Sequence, residues 1–178
     1  MNKLPEILHI ERLPTPIGTA LLAADEEGVL RIFDFEDFEA RMMHLLRIHY
    51  GTAKLVPGAV PLAVKDPISR YFAGDLQALN EVRWATNGTP FQRRVWSALT
   101  TIPVGETLSY AGLAARIDKP NAMRAVGRAN GSNPVAVVVP CHRVIGADGS
   151  LTGYGGGLRR KQWLLDHEGA LGRLLASF

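Results

Sequence analysis

Residues 135–144 read Val135-Ala136-Val137-Val138-Val139-Pro140-Cys141-His142-Arg143-Val144, and Cys141 is the only cysteine in the 178-residue chain. Five consecutive apolar residues predict a short, fully buried strand, and Pro140, with no N–H for a ladder, ends it. Cys141 is then expected at a strand exit, where backbone amides and a short helix start favour a thiolate. One thiol cannot form an internal disulfide, and a thiolate zinc cluster needs several ligands at set spacings. A free cysteine is usually a buried, inert small hydrophobe. The strand exit and the adjoining His142 tilt the reading toward a reactive thiol.

Composition bounds the surroundings. With 47% apolar and 21% charged residues, the chain has the make-up of a soluble globular protein, with room for one sizeable core and a small companion domain. It contains no apolar stretch of bilayer length, and Met1–Glu6 lacks the regions of a signal peptide. The expectation is a cytoplasmic, reducing compartment and no membrane partner. Charge divides unevenly: residues 1–85 carry 9 Lys+Arg against 12 Asp+Glu, net −3, whereas 86–178 carry 11 against 5, net +6. Nine of those eleven cations are arginine, the residue suited to phosphates and base edges. Such a half either meets a polyanion or carries ordinary surface charge.

The expected fold class is α/β in the broad sense (α+β), in two parts. Residues 1–85 form a small N-terminal structural domain of sheet and helix. In it Thr19–Ala24 and Val29–Phe35 read as a hairpin around Asp25-Glu26-Glu27-Gly28. Phe38, Met42, Leu45 and Leu46 repeat at helical spacing, with His44 and His49 expected solvated or half-buried. A short helix runs through Ile68–Phe72 to Ala73-Gly74-Asp75. The second part, residues 86–178, is mainly helical. Thr89-Pro90-Phe91-Gln92 is a capping box with proline at the first helical position, and Phe91, Val95, Trp96 and Leu99 share one face. Ser109 caps a helix over Tyr110–Ile117, Asp118-Lys119-Pro120 breaks it, and a third helix over Asn121–Gly131 follows at once. Two short helices on a tight turn are the pattern of a helix-turn-helix, and of any αα-corner. The third helix is rich in small residues and carries Arg124 and Arg128, which suits either a DNA reader or a core helix with solvated arginines. Gly153–Gly157 is a glycine-dense loop without the Lys-Ser/Thr ending of a phosphate loop. A last helix spans Leu158–Glu168 before Gly169, and Leu171, Leu174, Leu175 and Phe178 suggest a final apolar turn.

In their order and spacing, Gly88-Thr89-Pro90-Phe91-Gln92, Ser109-Tyr110, Arg124-Ala125-Val126-Gly127, Asn133-Pro134, the Pro-Cys-His-Arg-Val run, Tyr154-Gly155-Gly156-Gly157 and Trp163–Gly169 resemble the bacterial O6-alkylguanine-DNA alkyltransferases. The resemblance covers nearly the whole chain and is densest over 88–169. It implies a repair enzyme that flips an O6-alkylated guanine out of duplex DNA and moves the alkyl group irreversibly onto Cys141. The bound partner would be double-stranded DNA containing alkylated guanine. Activity on O4-alkylthymine and cooperative assembly of monomers on DNA stay open, and no cofactor is expected.

By the same resemblance His142 acts as the base, and Glu168 orients and charges its imidazole, as a carboxylate does in a Ser-His-Asp triad. Adjacent residues on a helical turn diverge by ~100°, so a bridging water suits Cys141 and His142 better than direct contact. Tyr110 would hydrogen-bond the extruded base, and Asn133 would tie the recognition helix to the active-site turn. Arg124 would fill the space of the flipped nucleotide, flanked in the minor groove by Met123, Ala125 and Arg128. Thr89, Pro90 and Gln92 would also contact DNA. Tyr110, Pro140, Val144, Tyr154, Gly155 and Gly156 would line the base pocket. Gly155 stands where some relatives have serine, and Met123 and Arg128 are bulkier than in some relatives. The cysteine-free N-terminal part implies no structural zinc. Three rivals remain: a lesion-binding relative without transfer, in which the cysteine is replaced; a helix-turn-helix regulator; and a cysteine hydrolase.

Overall fold

A computed structural model describes residues 4–172 of the chain; the expected apolar turn at Leu174, Leu175 and Phe178 lies outside them. The described residues divide into two compact units. One comprises residues up to 87 together with 134–138; the other comprises 88–133 together with residues from 139 onward. Helices and a mixed sheet share the chain in the expected α+β manner. No described helix is long and apolar enough to cross a membrane.

The first unit is built on a four-stranded sheet of β1 (Ile7–Thr15), β2 (Gly18–Ala24), β3 (Leu30–Phe35) and β4 (Lys54–Pro57), in the order β3-β2-β1-β4. The β2–β3 hairpin forms where expected, its turn closed by the buried Asp25. Asp25 Oδ1 accepts from Glu27 N and Val29 N at 3.0 Å each, and Oδ2 accepts from Arg31 Nε at 2.7 Å. Helix α1 (Glu39–Tyr50) packs Met42, Leu46 and Tyr50 on Leu8, Leu21, Ala23 and Ile32 of the sheet. Helix α2 (Leu62–Phe72) follows, longer than predicted because it starts directly after Pro61 and tolerates Pro67 inside. Strands β1 and β4 were not anticipated. Their apolar residues are interrupted by charges and prolines without a regular alternation, and sheet pairing overrides that weak local preference. His44 is exposed, but His49 is buried, contrary to expectation. Its Nδ1 lies 3.1 Å from Asn87 O, and Asn87 Nδ2 donates back to His49 O at 2.7 Å.

The predicted strand over Val135–Val139 does not form. The run is fully buried, but only Val135 bridges, to Phe33 at the open edge of β3; Phe33 N donates to Pro134 O and Ala136 N to Phe33 O. Val137 then turns to φ 68°, and Val138 N donates to Ala136 O at 2.8 Å, a γ-turn of the rare hand. Burial alone does not specify extended backbone, so a short apolar run is ambiguous.

The second unit is helical: α3 (Pro90–Leu99), α4 (Tyr110–Arg116), α5 (Met123–Gly131) and α6 (Leu158–His167). Both parts of the capping box at Thr89 and Gln92 are present, and Ser109 Oγ accepts from Gly112 N at 3.0 Å. Asp118, at φ 56°, ends the run after α4. Trp96 is fully buried and donates from Nε1 to Ala129 O at 2.8 Å, which fixes α3 to α5. Two short strands, β5 (Leu108–Ser109) and β6 (Val144–Ile145), pair in parallel, Leu108 with Val144 and Ser109 with Ile145. That ladder sets the start of α4 beside the residues just after Cys141.

A Cβ on Gly88 would stand 2.4 Å from Trp96 Cζ3, closer than real contacts allow. Gly88→Ala should therefore destabilise the protein by about 1–3 kcal/mol through overpacking against a fixed ring. Gly131→Ala, where a Cβ meets nothing within 4 Å, should be neutral or slightly stabilising. Thermal unfolding of the two variants beside the parent reads the contrast.

Candidate active site

Cys141 opens a single 3₁₀ turn, Cys141–Arg143. Pro140 reaches it with φ −82° and ψ 64°, and Cys141 N donates to Val139 O at 2.8 Å, an inverse γ-turn. The thiol residue is 5% exposed. Val139 O also accepts from Asn133 Nδ2 at 2.8 Å, so a fully buried amide just past the end of α5 holds the carbonyl two residues before the cysteine.

His142 and Arg143 converge on one carboxylate. Glu168, which follows the last residue of α6, is 5% exposed, and its Oε1 lies 2.9 Å from His142 Nε2. Arg143 Nε donates to Oε2 and Arg143 Nη2 to Oε1, each at 2.9 Å, and Nη1 donates to Ile102 O at 2.6 Å. Burial alone would raise the Glu168 pKa, but His142 and the Arg143 fork outweigh it and hold the carboxyl well below the usual range. With Glu168 ionised, His142 Nε2 carries the hydrogen facing it, and Nδ1 is left as an acceptor. Nδ1 is buried and has no hydrogen-bond partner among the described residues.

Lys161 was not anticipated at the site. It is fully buried on α6, and its Nζ donates to Val144 O at 2.5 Å, Thr152 O at 3.0 Å and Gly153 O at 3.1 Å. Burial pushes its pKa down to about 8, opposed by the nearby Cys141 charge, and by the same coupling the Lys161 ammonium favours a thiolate. Thr152 O also accepts from Tyr110 Oη at 2.9 Å. The tyrosine expected to meet the base thus lies half-buried with its hydroxyl on the backbone just before the glycine loop, and its ring rests near Gly127 of α5.

The periodicity of α6 carries a signal for Lys161. Lys161, Leu164, Leu165 and Glu168 are all buried, and their i, i+3, i+4, i+7 spacing puts both charges on the apolar stripe of the helix. Arg143 was counted among the arginines available to a polyanion. It is instead buried and bonded to Glu168 and Ile102.

The remaining candidates separate by exposure. Met123, Arg124, Ala125 and Arg128 are exposed along α5. Thr89 and Pro90 are exposed at the start of α3, but the Thr89 hydroxyl accepts from Gln92 N and the Gln92 amide bonds to Thr89 N and Ser132 Oγ. Pro140, Val144 and Gly156 are buried, and Tyr154 and Gly155 partly so.

The model of the 6-O-methylguanine DNA methyltransferase DNA-binding domain matches residues 90–170. A methylated-DNA–protein-cysteine methyltransferase of Salmonella typhimurium is 48% identical over 163 residues, covering 90% of this chain and 95% of its own. One from Methanosarcina acetivorans is 44% identical, covering 88% and 95%. Among solved structures, Mycobacterium tuberculosis OGT in complex with DNA superposes with a TM-score of 0.75 at 41% identity, covering 91% of this chain and 93% of that one. A buried thiol whose neighbouring imidazole is bonded to a buried carboxylate, together with identity of this order along nine-tenths of the chain, makes the protein a member of the methylated-DNA–protein-cysteine methyltransferase family.

Proposed function

We propose that this protein repairs DNA by direct reversal: it takes an O6-alkylated guanine out of the duplex and transfers the alkyl group to Cys141, once per molecule. The observation that carries this reading is the buried Cys141–His142 pair backed by Glu168 and Arg143. A lesion-binding relative would have no use for the thiol, and a regulator no use for the charge network behind it.

The chemistry is a displacement at saturated carbon. Thiolate attack needs a proton acceptor, and His142 Nδ1 is one. A 3₁₀ turn separates neighbouring side chains by about 120°, so the proton passes from Cys141 Sγ to Nδ1 through a water. The imidazolium that results is stabilised by ionised Glu168, which Arg143 and Ile102 hold in place. The S–C bond forms as the C–O6 bond breaks, the electron pair leaves with the base, and a proton taken from solvent at a ring nitrogen completes guanine, matching the one His142 later returns to solvent. Tyr110, at the mouth of the site, releases Thr152 O to donate to the base. A thioether has no hydrolytic exit, which makes the transfer a single turnover.

For binding, the exposed residues of α5 suit the minor groove. Arg124 takes the place of the extruded nucleotide, Met123, Ala125 and Arg128 flank it, and Thr89, Pro90 and Gln92 lie along the strand. Pro140, Val144, Tyr154, Gly155 and Gly156 form the base pocket. Residues up to 85 serve as structural support, and the protein works as a cytoplasmic monomer without a cofactor.

Intact-protein mass after incubation with duplex DNA carrying O6-methylguanine tests the assignment. The parent should gain one methyl group and Cys141→Ser none; removal of the lesion by the serine variant would reassign the nucleophile. Arg124→Ala should slow repair of duplex roughly a hundredfold if extrusion is its step, following the scale of a misplaced positioning group. The same variant should react with a free benzylated guanine within about twofold of the parent, because no flipping is needed.

Lys161 supplies a pH signature. Its folded pKa of about 8 lies below the ordinary 10.5, so the unfolded chain binds the extra proton between those values and stability contributed by this group rises with pH across that window. Lys161→Met should remove that rise, read as the pH dependence of the melting midpoint from about 8 to 10.5.

A further inference from the structure

Two buried side-chain atoms on residues that adjoin or contact Cys141 are acceptors without a hydrogen-bond partner among the described residues: His142 Nδ1 and Asn130 Oδ1. His142 follows Cys141 in the chain. Asn130, the penultimate residue of α5 and 5% exposed, reaches Cys141 itself, its Nδ2 donating to Cys141 O at 3.4 Å. Both atoms are acceptors for stated reasons, since His142 Nε2 faces Glu168 and the Asn130 amide nitrogen faces a carbonyl. The amide bond lengths put Oδ1 only ~2.3 Å from Nδ2, so this acceptor too lies within a few ångströms of the cysteine backbone. Buried polar atoms in native proteins are satisfied by protein or by ordered water. Two such acceptors, one on the residue after the cysteine and one on a side chain bonded to its carbonyl, call for a molecule with two donors and one acceptor position, and water is that molecule; three bonds are typical of an enclosed water.

We propose that Asn130 is a positioning residue for proton transfer: its Oδ1 holds one enclosed water that accepts from Cys141 S–H and donates to His142 Nδ1. The water gives one hydrogen to Nδ1 as it takes the thiol proton, so it leaves the step unchanged. The sulfur pair then forms the bond to the alkyl carbon while the C–O6 pair departs with the base. Throughout, the second O–H stays on Asn130 Oδ1, which keeps a lone pair of the water turned toward sulfur. Asn133, by contrast, donates from Nδ2 to Val139 O, and its role is to hold the turn. The other charged or titratable groups of the site, namely His142 and Arg143 on the cysteine's own turn, Glu168 bonded to both, Lys161 of α6 and Tyr110 of α4, keep their identity in an Asn130 variant.

The purpose of this water rests on the alkyl-transfer reading, but its test does not. Carboxamidomethylation of Cys141 by iodoacetamide, without DNA, is followed as a function of pH in the parent and in Asn130→Leu. Loss of the acceptor should raise the midpoint of thiol reactivity by about one pH unit. At pH 7 the rate should fall roughly tenfold, the lower part of what general-base assistance contributes, and should meet the parent rate above the new midpoint. A crystal structure of the parent should show the water within hydrogen-bond distance of Asn130 Oδ1 and His142 Nδ1. Equal midpoints, or a slowing that is the same at every pH, overturn the proposal. If Asn130→Leu does not fold, Asn130→Ser, whose hydroxyl is too short to reach the water, carries the same readout. A parent protein with the expected thiol titration but no transfer from alkylated DNA would reject the repair reading and leave the role of Asn130 standing.

Discussion

A buried carboxylate has to be surrounded by donors, and at Glu168 that requirement organises the second unit. An ion of this size loses several kcal/mol of hydration on burial, and removing one partner of such a group typically costs about 3–5 kcal/mol. Glu168 meets the demand with the Arg143 fork and His142 Nε2. Arg143, itself buried, is completed by Ile102 O after α3. The ion pair therefore fixes the 3₁₀ turn, the end of α6 and the segment after α3 relative to one another, all within one unit. The imidazole beside the thiol is oriented as a by-product of solving a solvation problem.

The backbone around Val139 answers a different constraint. A cysteine in a regular strand would have its side chain confined to one face of a sheet by the alternation of the pleat. Here the chain instead makes a γ-turn at Val137 and an inverse γ-turn at Pro140, of opposite hand. A β-branched residue at φ 68° is strained by on the order of 1–3 kcal/mol. Complete burial of Val137 and the two bonds accepted by Val139 O offset that strain. The presentation of Cys141 is thus held by tertiary contacts rather than by local preference.

This explains which parts were legible. The cap at Thr89–Gln92, the Ser109 cap, the Asp25 hairpin and the end of α6 near Gly169 each express chemistry between residues a few positions apart, and each formed where the sequence placed it. The Val135–Val139 run did not, because apolar character specifies burial while Val137 and Pro140 decide the path. The motif named Cys141, His142 and Glu168. It left Lys161 and Arg143 looking like surface cations, since their partners are backbone carbonyls and a distant carboxylate. For Lys161 the helical stripe was available as a cue; for Arg143 no local pattern distinguishes a buried fork from an exposed one.

The parallel pairing of Leu108–Ser109 with Val144–Ile145 has a bearing on how this chain can change length over evolutionary time. A ladder only two residues long has no spare register, and side chains alternate faces with a period of two. One residue gained or lost within 105–109 or 142–145 would turn Leu108 or Val144 to the wrong face and carry Tyr110 out of step with Cys141. The stretch around Asp148-Gly149 is different, for Gly146 N already closes back on Ser150 O and its tip is exposed or nearly so. Insertions and deletions between homologues should therefore gather at that tip and be rare beside the two-residue ladder.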